Sequence, residues 1–292
     1  MKQPFKTIGL IGKYGNPDVS ETLRLIYDDL VNRDLTVLLD ESSASFTRDN
    51  PPQQVTLDEI GQQCDLAIIV GGDGTLLHAA RTLNRYDIPM MGINLGRLGF
   101  LVDICADDMH KQLTDILSGG YLVDSRLLLH VEVLRDGQSI LSSDALNDIV
   151  LHKREIARMI EFQTRIDGQH VHTQRSDGMI VATPTGSTAY ALSGGGPIVH
   201  PQVDAMLIVP ICPHTLSNRP IVVQAASCIE IEITHGGESE GQLTCDGQVN
   251  VRLNSGDIVR INASPHRLQL LHPEDYDYFE ILRAKLGWAG HH

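Results

Sequence analysis

Two different patterns of apolar spacing divide the chain near residue 125. In the first part, short apolar runs alternate with stretches of helical periodicity. Residues 7–11 form a β-rich apolar run that ends in Gly12. Residues 18–32 follow with Leu23, Ile26, Tyr27, Leu30 and Val31 at i, i+3, i+4, i+7 and i+8, which predicts an amphipathic helix. Residues 35–39, 66–70 and 88–93 predict further strands. The unbroken run at 66–70 is what a strand buried on both faces requires. Helical patterns recur at 75–85 and 107–117, while the polar segment 41–54 with Pro51-Pro52 predicts a mobile loop. Alternating strands and helices predict a doubly wound, parallel-rich sheet.

Beyond residue 125 the helical period nearly vanishes. Strand-like runs fall at 127–134, 159–166, 179–183, 207–209, 229–233 and 258–261. Ile229, Ile231 and Ile233 alternate with Glu230 and Glu232, one face apolar and one wet. Asp136-Gly137 and Asp167-Gly168 are hairpin-turn signals. The expected organisation is an α/β domain over 1–125, an all-β domain over 126–273, and a helical tail over 274–292 that packs back on the first domain.

Composition narrows the function classes. The 292 residues carry 23 Lys plus Arg against 37 Asp plus Glu, a net charge of −14. This balance argues against a nucleic-acid or anionic-membrane partner, which would need clustered positive charge. It permits a phosphorylated ligand, because backbone N–H groups hold phosphates without net charge. The longest apolar run, 205–212, is too short to span a membrane and contains Pro210. Five scattered cysteines with no C-x-x-C pair read as reduced thiols of a cytoplasmic protein.

Four places carry candidate chemistry. Gly71-Gly72-Asp73-Gly74-Thr75 follows a buried strand and opens a helix, at the sheet edge where doubly wound folds bind ligands. The glycines let a bulky ligand approach the backbone, and the helix N-terminus favours anions. An Asp there either caps a plain strand-to-helix turn, accepts a proton from an attacking hydroxyl, or helps hold a divalent cation. Asn147-Asp148 interrupts an apolar strand and is either an ordinary polar step or a pair that grips ribose hydroxyls. Residues 183–197 hold five Ser or Thr hydroxyls, four glycines, two prolines and Tyr190. Within them, 187–192 could form a short helix capped by Ser187. This composition suits a nucleotide with Tyr190 stacked on its base; a long surface loop is the bland reading. Arg175-Ser-Asp177-Gly178 offers a phosphate reader beside an acceptor, or simply a surface ion pair. The chain has no G-x-x-x-x-G-K-[ST] P-loop and no G-x-S-x-G elbow, and His170-x-His172 reads as an exposed hairpin pair rather than a metal site.

These four motifs in combination resemble the NAD kinases. The Gly-Gly-Asp-Gly motif is shared with lipid kinases and phosphofructokinases, whereas the 183–197 segment is far more specific. The resemblance runs through nearly the whole chain, to the closing Leu286-Gly287-Trp288. It implies an α/β N-terminal domain and a β-sandwich-like C-terminal domain with the active site between them. It further implies transfer of the ATP γ-phosphoryl group to the 2′-hydroxyl of the adenosine ribose of NAD, giving NADP. Bacterial members use Mg²⁺ or Mn²⁺ and assemble as homodimers or homotetramers. Carried over by motif, Asp73 is the base and Gly74 gives close backbone contact. Asn147 and Asp148 hold ribose hydroxyls, and Thr188, Ala189, Tyr190 and Ser193 surround the adenine and its ribose. Asp177 faces the nicotinamide end; Arg175, Thr185, Arg158 and Gln248 line the remainder, and His78 lies near the phosphates. No metal ligand is assigned. Many relatives have Asn-Glu where this chain has Asn147-Asp148, an acid one methylene shorter. A kinase of a lipid or sugar phosphate would share the first motif but not the third. A non-catalytic dinucleotide sensor would leave Asp73 idle.

Overall fold

The computed structural model describes residues 5–13, 17–43, 51–96, 99–154, 159–215, 217–234 and 241–288. The chain divides into two compact units. One comprises Met1–Ser125 with Leu268–His292, and the other Arg126–Arg267. The second unit ends at Arg267, within a strand, whereas the sequence reading carried it to residue 273.

The first unit contains β1 (Thr7–Gly12), α1 (Pro17–Asn32), β2 (Thr36–Asp40), β3 (Gln53–Val55), α2 (Leu57–Gln63), β4 (Leu66–Val70), α3 (Asp73–Leu83), β5 (Met90–Asn94), β6 (Ile104–Cys105) and α4 (Met109–Leu117). The strands pair in parallel in the order β5-β4-β1-β2-β3, with β6 on the far side of β5. The order reverses direction between β1 and β4, which makes their C-terminal ends the switch point of a doubly wound sheet. On one face, α1 and α4 set Leu23, Ile26, Leu30, Leu113 and Ile116 against Ile8, Leu10, Ile68 and Val70. On the other lies α2: a Cβ on Gly9 would stand 2.5 Å from the Ile60 side chain.

Three details differ from the sequence reading. Val31 is exposed and Val19 takes its place on the buried face of α1. Helix α2 was unforeseen; its Thr56–Glu59 capping box marks the start. The polar stretch 41–54 contributes its last residues to β3, and its residues 44–50 lie outside the described ones.

The second unit is all-β. Its strands are β7 (Leu122–Arg135, entering from the first unit), β8 (Gln138–Ala145), β9 (Asp148–Lys153), β10 (Ile160–Ile166), β11 (Gln169–Ser176) and β12 (Gly178–Ala182). A 3-10 turn (Thr185–Thr188) and α5 (Tyr190–Ser193) precede β13 (Ala205–Ile211), β14 (Ile221–Gln224), β15 (Ile229–Ile233), β16 (Gly241–Cys245), β17 (Val249–Leu253) and β18 (Ile258–His272). One sheet runs β14-β13-β12-β9-β16-β17 and is antiparallel throughout. The other links β11, β10, β15 and β18, with β7 joining β18 to β8. Alternate residues of both sheets, among them Val131, Leu151, Phe162, Val181, Ile231 and Ile261, fill one core between them. This is a sandwich. Strand β12 is buried on both faces: Met179 and Val181 enter that core, while Ile180 and Ala182 pack under Ala191 of α5. The expected Asp-Gly turns form, with Asp136, Gly137, Asp167 and Gly168 all at positive φ. The final helix, α6 (Tyr278–Leu286), is capped by Asp277 and belongs to the first unit.

Candidate active site

At the switch point of the first unit, β4 ends in a bend that only glycine permits. Gly71 has φ +155°, and a Cβ there would lie 2.7 Å from Thr75 Oγ1. Helix α3 begins at Asp73 itself, two residues earlier than its apolar period indicates. The Asp73 carboxylate does not cap its own helix. It accepts three consecutive backbone N–H groups instead: Phe100 at 3.0 Å, Leu101 at 3.1 Å and Val102 at 3.2 Å. Gly99 makes this approach possible, because a Cβ there would stand 2.1 Å from Asp73 Oδ1. A carboxylate so held is fixed in place and still only partly buried. Gly74 and His78 are exposed on the same helix.

In the second unit, the second and third motifs meet. A Cβ on Gly186 would lie 2.0 Å from the Asn147 carbonyl oxygen, so the 3-10 turn rests directly on the backbone that opens β9. Thr183 ties the two, its hydroxyl donating to Leu146 O at 2.6 Å. Ser187 is buried and donates to Pro184 O at 2.6 Å while accepting Val199 N–H at 3.0 Å. It therefore folds the loop and does not cap a helix. The chain breaks at Ala189 before α5 starts at Tyr190.

Beside this junction opens a cavity of about 630 Å³, lined by residues that include Asn147, Asp148, Lys153, Asp177, Ala189, Tyr190 and Asp246. Tyr190 presents an exposed ring. Asp148 is 5% exposed. Burial pushes its carboxyl up to about 7, helped by the negative charge of Asp246 and opposed by a hydrogen bond from the Tyr190 backbone N–H. Asp177 pairs with Lys153 at 2.6 Å.

Asp246 was not singled out by sequence reasoning. It occupies the β16–β17 turn at φ +49° and accepts the N–H groups of Leu146, Asn147 and Asp148 at 3.1, 2.8 and 3.2 Å. The Asp246-Gly247 pair is the signal that could have found the turn, since it repeats the pattern used at Asp136 and Asp167.

The structure thus brings Asn147, Asp148, Asp177, Ala189 and Tyr190 around one cavity. Thr188 lies half-buried in the supporting turn, Ser193 is exposed at the end of α5, and Gln248 is exposed beside Asp246. Thr185 is buried and its hydroxyl accepts a hydrogen bond from Arg126 at 3.2 Å. Arg175 is exposed on β11 and faces Glu161 at 3.8 Å. Asp73, Gly74 and His78 belong to the first unit, the others to the second. Arg158 lies outside the described residues. Among the described residues, no three His, Cys, Asp or Glu cluster as a metal cage. Of the pair expected to be exposed, His170 is exposed but His172 is half-buried.

Comparison with known proteins covers both units. Residues 8–121 match the ATP-NAD kinase N-terminal domain and residues 146–272 the ATP-NAD kinase C-terminal domain. The NAD kinase of Nitrosococcus oceani is 50% identical over 289 residues, 99% of each chain. That of Chromohalobacter salexigens is 49% identical over 287 residues, 98% of each. Yeast NADH kinase complexed with NADH superposes with a TM-score of 0.89 at 27% identity, covering 100% of this chain and 90% of that one. An NAD kinase from Archaeoglobus fulgidus in complex with ATP gives 0.75 at 27% identity, covering 97% and 100%. With both domains matched in order and half of all residues shared with a full-length relative, the chain belongs to the NAD kinase family and is a phosphotransferase that acts on NAD.

Proposed function

We propose that the protein transfers the γ-phosphoryl group of ATP to the 2′-hydroxyl of the adenosine ribose of NAD, giving NADP. The cavity where Asn147-Asp148 meets the Tyr190 turn carries this reading. It combines an exposed aromatic face for a base with a half-buried amide, Asn147, and a buried acid, Asp148, for ribose hydroxyls. Thr188, Ala189 and Ser193 enclose the adenine and its ribose. Asp177, with Lys153 beside it, takes the nicotinamide end. Arg175, Arg158 and Gln248 serve the outer part of the dinucleotide, Thr185 supports from within, and His78 and Gly74 serve the phosphates.

Asp73 is the proton acceptor for the 2′-hydroxyl. Phosphoryl transfer has a loose transition state, so positioning and charge neutralisation carry most of the acceleration. A carboxylate held by three backbone N–H groups suits a task in which placement matters. The archaeal relative in complex with ATP supports ATP as the donor. The reaction also uses Mg²⁺ or Mn²⁺. Such a cation needs only one or two carboxylates when phosphates and water supply its other ligands. When bound, it neutralises phosphate charge.

The enzyme acts in the cytoplasm as a homodimer or homotetramer, without nucleic-acid or membrane partners. Its net charge of −14 supports the latter. Exposed Val123, Phe279 and Trp288 offer apolar surface for subunit contact.

The test is direct. The purified protein is mixed with ATP, Mg²⁺ and NAD, and NADP is read with an NADP-specific dehydrogenase. NADP formation is expected. NAD binding without turnover, with ATP and with polyphosphate alike, would overturn the reading.

A further inference from the structure

The three N–H groups that hold Asp73 come from a short segment, residues 99–103, which is itself pinned from behind. Gly99 N–H bonds to Val102 O at 3.1 Å and tightens the turn. Val102 is fully buried against β5, where Gly92 leaves it room: a Cβ on Gly92 would lie 2.9 Å from the Val102 side chain. The next residue, Asp103, lies 2.7 Å through Oδ2 from Nδ1 of His272, the last residue of β18. His272 is 1% exposed. Its Nε2 lies 3.7 Å from Asp124 Oδ2, and the Tyr276 ring stacks on it at 3.8 Å and 12°. Asp103, Asp124 and Tyr276 are titratable groups that face this imidazole.

Burying an imidazole between two carboxylates is an expensive way to fill space. An apolar side chain of similar volume would cost less. What the histidine adds is direction. A short hydrogen bond between two buried side chains fixes its partner's position far more tightly than apolar contact does. That partner is one residue from Val102 and three from Phe100, so its position sets where the three N–H groups point. Proton transfer tolerates little error in such placement; a shift of about 1 Å costs on the order of 10²-fold.

We infer that His272 is a positioning residue for Asp73: by holding Asp103, it fixes the N–H groups of Phe100, Leu101 and Val102 that aim the Asp73 carboxylate. The inference rests on the reading of Asp73 as proton acceptor. No residue of the NAD cavity is involved.

The test compares His272→Asn with His272→Gln in the full-length enzyme. The Asn side chain can place its N–H₂ near the position of Nδ1, whereas Gln places it near Nε2. Both remain polar and of similar size. His272→Asn is expected to keep kcat within about threefold of wild type, and His272→Gln to lose about tenfold or more, with KM for NAD within about twofold in both. In an Asp73→Asn background, His272→Gln is expected to cause no further loss. Equal kcat for the two variants would overturn the proposal. So would a loss expressed in KM, or the same tenfold loss in the Asp73→Asn background, since either would mark general damage. If His272→Gln fails to fold, Asp103→Asn, which keeps an acceptor, and Asp103→Ala, which does not, must show the same ordering of kcat. Full activity in Asp73→Asn alone would sink the proton-acceptor reading. An inactive Asp73→Asn with indistinguishable His272 variants would sink only the role of His272.

Discussion

Asp246 accepts the backbone N–H of Asp148 at 3.2 Å, and at the same time its charge pushes the buried Asp148 carboxyl toward its neutral form. The same residue therefore builds the turn that presents Asp148 and adds to the effect of burial on its ionisation. Burial is the larger of the two causes.

The sign of the resulting stability effect follows. Asp148 has a folded-state pKa of about 7 against an ordinary value of 3.8. Its contribution is fully present below the ordinary value and is lost as pH rises toward 7, by an amount on the order of a few kcal/mol. Asp148→Asn should therefore raise the melting temperature, and more at pH 8 than at pH 5. Thermal unfolding at the two pH values checks this; an equal gain at both would contradict the titration assigned to Asp148.

Asp73→Asn should retain the fold, because an amide oxygen can still accept from the loop N–H groups. It should lose turnover by about 10²-fold or more, as expected for removal of a positioned general base. Steady-state NADP formation beside a far-ultraviolet dichroism spectrum measures both. Near-normal turnover would remove Asp73 from the chemistry.

Tyr190→Ala removes an exposed ring whose loss costs the core nothing. Base stacking on an aromatic is worth about 1–3 kcal/mol, so the dissociation constant for NAD should rise by roughly 5- to 150-fold. Isothermal titration with NAD, without ATP, gives the value. An unchanged constant would take the adenine away from this ring.

Gly186→Ala tests the junction between the two motifs. The new methyl group would meet backbone, the Asn147 carbonyl at 2.0 Å, and backbone cannot rotate aside. The variant should lose about 1–3 kcal/mol of stability or more, with KM for NAD raised as the Asn147-Asp148 pair is displaced. Denaturant unfolding and initial rates report the two effects separately. Wild-type values for both would mean that the turn rests elsewhere.

The sequence conveyed the architecture where residue spacing encodes it. Leu66–Val70, uniformly apolar, is the central strand of the first sheet, and the Ile-Glu alternation at Ile229–Ile233 is a strand with one wet face. Helix α2 escaped notice because its buried face is only Ile60 and Gly61. Its capping box, not its periodicity, was the readable sign. The site was legible as residue types and not as bonds. Asp73 stands out among glycines, but its partners are the backbone N–H groups of Phe100, Leu101 and Val102, and a backbone group has no identity in a sequence. Asp246 acts on residues up to 100 positions away, a link created only by the pairing of β16 with β9. Ser187 illustrates the opposite error: a hydroxyl in a nucleotide-like segment turns inward and serves the loop.

The second unit is an insertion, since residues 126–267 interrupt a first unit that resumes at Leu268. Leu270 pairs with Met90 of β5 and Leu271 enters the core beneath α1 and α4. During synthesis, the domain that emerges first is thus completed last. A nascent chain halted at residue 267 would hold all of the second unit, while the unit that bears Asp73 would still lack the end of β18 and α6. The stretch from Leu268 onward therefore completes the unit that carries Asp73 only after every residue of the other unit has been made.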